Sequence, residues 1–130
     1  MNLLDVGAAC ARMRAAALDL FEQLGAWVFD TPAGLDQQRW AMASHRHAWH
    51  ADLWAERAPA LREFAIEAAT AGARGWIGTP AGPGSRAAWY ASVCAELLAE
   101  LDELAARVDP LLDPSTARTI ALVRADLATP

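Results

Sequence analysis

The chain contains no lysine, only two cysteines, a single tyrosine and no long apolar run. Each shortage narrows the possibilities. Without lysine, all 11 basic residues are arginine, and they are outnumbered by 16 acidic ones. The resulting net charge of −5 offers no general attraction to phosphate backbones or anionic lipid, so neither nucleic acid nor a membrane surface is an expected partner. No apolar stretch approaches the roughly eighteen residues that a membrane-spanning helix needs. The N-terminal "MNLLDVGAACAR" carries Asp5 where a secretion signal would place basic residues, so a cytoplasmic location is expected. Cys10 and Cys94 lie far apart with no metal-ligand spacing, and in a reducing compartment they read as small buried hydrophobes.

What is abundant is alanine, about a quarter of the chain, which suits close-packed helices. A length of 130 residues fits one domain with one core. In the first helix, Leu3, Val6, Cys10, Met13, Ala17, Leu20, Leu24 and Trp27 recur at alternating spacings of three and four, with Asp5, Asp19 and Glu22 on the solvated side. This run stops near Asp30, because Pro32 disfavours helix at Thr31. A second helix runs from about Leu35 to Arg57. A short extra helix, "ALREFAIEAAT", then follows Pro59 and closes at Gly72. "GARGWIGTPAGPGS" reads as a Gly/Pro-rich crossover, pinned by Trp76 and Ile77. Ser85 is the expected N-cap of a third long helix with a stripe of Tyr90, Val93, Leu97, Leu101, Leu104 and Val108, ending at Asp109-Pro110. Asp113 or Ser115 caps the last helix, with Pro114 near its start and Ile120, Val123 and Leu127 inward. Long helices without a convincing strand predict an all-α bundle.

The densest chemistry lies in "RWAMASHRHAWHADLWAERAP", Arg39 to Pro59, which holds all three histidines and three of the six tryptophans. At about 100° per residue, Trp40, His47 and Trp54 fall together beside an alanine arc of Ala41, Ala48, Ala51, Ala55 and Ala58. Leu35, Met42, Trp49 and Leu53 form a second apolar face on the other side. Between them run two polar strips, Arg39, Arg46, His50 and Arg57 on one flank and Gln38, His45, Asp52 and Glu56 on the other. A helix with two apolar sides needs a second cover, either the crossover with Trp76 or a copy of itself, and a homodimer is the expectation.

Two other functions compete. His47 and His50 share a face and could both reach one iron, manganese or zinc ion, with Glu96 or Glu100 from the acidic stripe of the third helix completing the set. Solvation of that stripe, or its pairing with the arginine strip, is the expected arrangement, and no cofactor is expected. An aromatic pocket lined by Trp40, Trp54 and Trp89 would instead make a small-molecule binder.

Two passages, "HAWHADLWAERAPALRE" and "VDPLLDPSTARTIALVRADL", resemble a group of bacterial proteins with a ferritin-like four-helix fold. The resemblance covers most of the chain and rests on His50-Ala51-Asp52 with Arg57 and Pro59, and on Asp109-Pro110 with Asp113-Pro114, Thr116 and Arg118. It implies a four-helix bundle. The wider superfamily implies a di-iron or di-manganese centre, built from a glutamate on two helices and a Glu-x-x-His pair on the other two. This chain departs from that pattern: His47-x-x-His50 has no glutamate at its first place, Glu22 lies off the seam, and the last helix has no histidine. The expected function is therefore a non-catalytic bundle acting through protein contacts, with the metal enzyme and the small-molecule binder as alternatives.

Overall fold

A computed structural model describes residues 2–57 and 78–130, without the side chains of Leu3 and Leu4. Four α-helices and no strand occur among the described residues, so the fold is all-α: α1 Leu3–Asp30, α2 Leu35–Glu56, α3 Arg86–Arg107 and α4 Pro114–Ala128. They fall into two compact units, one carrying α1 and α2, the other α3 and α4. The expected short helix after Pro59, and the Trp76 and Ile77 pins of the crossover, lie outside the described residues.

The first unit is a helical hairpin. Asn2 starts it by accepting the Asp5 N–H on its side chain at 2.8 Å, which satisfies one of the donors that a helix N-terminus leaves open. Val6, Cys10, Met13, Ala17, Leu20, Leu24 and Trp27 are all buried, as the seven-residue seam requires. At the other end the Thr31 hydroxyl donates to the Trp27 carbonyl at 2.6 Å, and the Gln37 amide donates to the Val28 carbonyl at 2.9 Å. Two carbonyls that α1 would leave open are thus closed, one of them by the incoming helix. Gly34 turns the chain at φ 152°, a backbone that a side chain would strain, and precedes the first residue of α2.

The packing of α2 on α1 is antiparallel, since Gln37 meets Val28, Trp40 meets Trp27, and Ser44 meets Phe21. Trp40 stands edge-on to Trp27 with ring centroids 4.9 Å apart and planes at 76°. Further along, small residues let the backbones approach. The Ser44 hydroxyl donates to the Phe21 carbonyl at 2.8 Å, and a Cβ placed on Gly25 would lie 3.2 Å from Ser44 Oγ.

In the second unit α3 buries Tyr90, Val93, Cys94, Leu97, Leu101 and Leu104, with Val108 buried just beyond its end, and α4 buries Thr116, Thr119, Ile120, Val123 and Leu127. Both expected stripes are present. Asp113, rather than Ser115, caps α4: its carboxylate accepts the Thr116 N–H at 3.1 Å, and Pro114 opens the helix where its missing N–H costs nothing. Ser85 does precede α3 but does not cap it. Its hydroxyl donates to the Gly82 carbonyl at 2.8 Å and accepts the Gly82 N–H at 3.2 Å, closing a 3-10 turn over Pro83–Ser85. The turn engages the side chain that the helix would have used.

Candidate functional site

The histidine-rich segment forms α2 as far as Glu56, with Arg57 as its C-cap, and the helix does have two unlike sides. Its buried residues are Trp40, Ala43, Ser44, His47, His50, Ala51 and Trp54. The outward side carries Leu35, 84% exposed, Met42, 74% exposed, and Trp49, 45% exposed. Leu53 is half-buried at its C-terminal end.

Trp40, His47, Trp54 and Ala51 are inside as their spacing demands, but the alanine arc is displaced. Ala41 and Ala55 are exposed and Ala48 is half-buried, while Ala43, Ser44 and His50 take the inner places. The buried arc is thus turned by some tens of degrees toward His50. The reason is steric, because Ser44 has to sit over Gly25 and Trp40 against Trp27, and those two contacts fix the rotation of α2. His50, placed with the arginines by periodicity, is instead 1% exposed, the same as His47. The opposite polar flank of Gln38, His45, Asp52 and Glu56 is exposed throughout, as expected.

The two buried imidazoles touch. His47 and His50 lie edge-to-face, with centroids 5.4 Å apart and planes at 85°. Burial, then the neighbouring His50 and Arg46, lowers the His47 pKa from 6.5 to about 3, so that this ring is neutral across the physiological range. A neutral imidazole can both donate and accept a hydrogen bond, which suits a ring enclosed by polar and apolar neighbours alike. Outside it, the Trp49 indole tilts against His50 at 5.8 Å and 44°, linking the exposed face to the buried pair.

On α3, Glu96 is exposed, and Glu100 and Trp89 are half-buried. On α2, Arg46 is half-buried, while Arg39 lays its guanidinium carbon 5.0 Å from the centre of the Trp40 ring. Trp40 and Trp54 are core residues, 5% and 1% exposed, and Trp76 lies outside the described residues. No group of three or more His, Cys, Asp or Glu side chains able to hold a metal ion occurs among the described residues. The described residues therefore do not supply the ligand set of the two-metal centre that a ferritin-like fold implies. Nor is any described helix long and apolar enough to cross a membrane.

Compared with protein-family models, with curated proteins and with solved structures, the chain matches none.

Proposed function

We propose that the protein is a non-catalytic helical bundle that acts through protein contacts, and that the outer face of α2 is its self-association surface. The observation that carries this reading is the row Leu35, Met42 and Trp49, spaced by seven residues and turned to solvent on a helix whose other side is already buried. A single helix face of large apolar side chains, flanked by charge, has the composition of a contact surface. Trp49 is its natural anchor, since tryptophan dominates the energetics of such contacts. The ferritin-like arrangement implied by the resemblance belongs to the same proposal, supported by the order of the four long helices.

Sedimentation analysis over a wide concentration range is the test. The expected result is a monomer–dimer equilibrium that shifts to monomer in Trp49→Ala and Met42→Asp, with helical circular dichroism unchanged. A strict monomer at high concentration overturns the proposal. Metal content after incubation with iron, manganese or zinc tests the rival function, because a site on His47 and His50 would lose its metal on His47→Ala, whereas a packing role for His47 costs stability at constant metal content.

A further inference from the structure

The flanks of the α2 face differ in charge, and that difference selects an orientation. Taking Met42 as the centre line, with Leu35 and Trp49 within about 20° of it, Arg39, Arg46 and Arg57 lie on one side, about 40–60° away. Gln38, His45, Asp52 and Glu56 lie on the other, about 40–80° away. One edge of the surface is basic, and the other is neutral to acidic. None of the three arginines is buried, Arg39 being held at its edge by the Trp40 ring.

Two copies of such a face can meet in two symmetric ways. With the helices antiparallel, a two-fold axis across them sets each flank against itself, so that arginine rows face arginine rows. With the helices parallel, the axis runs along them and each flank meets the opposite one. Arg57 then lies beside Glu56 of the partner subunit, and the Arg39 and Arg46 side chains lie beside groups that carry no fixed positive charge. Helix pairs choose partner and orientation by flanking charges in this way, and repulsion excludes the wrong form as much as attraction favours the right one.

Resting on the self-association proposed above, we infer that the occupant of the α2 face is a second copy of the chain, docked with its α2 parallel and in register. In that arrangement every residue on the centre line meets its own copy: Leu35 with Leu35, Met42 with Met42 and Trp49 with Trp49. The contact is confined to one helix face of 22 residues, so it falls at the small, reversible end of interface sizes. Its orientation preference is electrostatic and weakens as salt screens the flanks.

Site-specific cross-linking separates the alternatives. Leu35→Cys and Leu53→Cys stand about 27 Å apart along the helix at 1.5 Å per residue, and both leave Met42 and Trp49 in place. Cys10 and Cys94 are buried, so the parent protein is the background control. With a short bismaleimide, the parallel dimer yields 35-to-35 and 53-to-53 products from the single variants, and no 35-to-53 product from a mixture of differently tagged chains. A mixed product without the like products overturns the orientation but leaves the self-association standing. Dimers in sedimentation that give no cross-link place the contact on another face and overturn both the inference and the α2 proposal. A monomer that gives no cross-link overturns self-association itself. Charge exchange provides an independent readout: Arg57→Glu is expected to raise the dimer dissociation constant about two- to fivefold. The double variant Glu56→Arg with Arg57→Glu, which merely exchanges the flanks, is expected to restore it, and no restoration counts against the parallel pairing.

Discussion

The inner and outer sides of α2 have nearly the same ingredients and opposite fates. Each has large side chains at seven-residue spacing, the rings of Trp40, His47 and Trp54 inside and the apolar Leu35, Met42 and Trp49 outside. What distinguishes them is the smallest residue nearby. Ser44 lies against Gly25, and that close approach lets α1 lie along the inner side and bury it. Hydrophobicity alone did not choose the core face, and the steric fit between α1 and α2 did.

Removing the two tryptophans one at a time is the strongest way to expose this difference. Trp54 is 1% exposed, so Trp54→Ala leaves a cavity and is expected to cost about 3–5 kcal/mol in denaturant unfolding. Trp49→Ala, on the outside, is expected to change the stability of the monomer by less than about 1 kcal/mol and to act on association instead. Equal losses from both would mean that the outer side is covered within the subunit.

Acid sharpens the contrast further. The His47 ring has its pKa lowered from 6.5 to about 3 in the fold, first by burial, then by His50 and Arg46. Between those two values the unfolded chain binds a proton that the folded one refuses, so stability is full above pH 6.5 and falls as the pH drops toward 3. The slope approaches about 1.4 kcal/mol per pH unit for this one group, and several kcal/mol are lost across the window. His47→Gln removes the titration, so its stability curve is expected to flatten over that range even though the variant starts from a lower value. An acid limb of unchanged slope would show that His47 is not the group responsible.

Much of this was legible in the sequence. The seams of α1, α3 and α4, the break at Thr31-Pro32 and the two-sided nature of α2 follow from periodicity and from proline, because these are local properties of the chain. The rotation of α2 was not legible. A helical wheel ranks His50 beside Arg46 and gives no reason to bury it, whereas the Ser44 and Trp40 contacts with α1 turn it inward. Two exposed alanines, Ala41 and Ala55, misled for a related reason, since alanine favours a helix by propensity alone and needs no burial to do so. At the candidate site, periodicity foresaw the exposed row of Leu35, Met42 and Trp49, but only the fold shows that Trp40 and Trp54 are spent on the core.

The smallest expected effect tests the steric fit itself. Ser44→Ala removes a buried hydroxyl that donates to the Phe21 carbonyl at 2.8 Å, at a cost of about 1 kcal/mol. Gly25→Ala has two opposing consequences. It gains up to about 1 kcal/mol of helix propensity within α1, but its new Cβ would stand 3.2 Å from Ser44 Oγ, closer than the two atoms comfortably allow. In a Ser44→Ala background that oxygen is gone, so the alanine at position 25 keeps its helical advantage at a smaller steric cost. The two changes are therefore expected to couple favourably by about 0.5 kcal/mol or more in a double-mutant cycle read by denaturant unfolding. Strict additivity would mean that α2 slides to accept the extra methyl, and then the contact that fixes its rotation would have to be the edge-on pair of Trp27 and Trp40 instead.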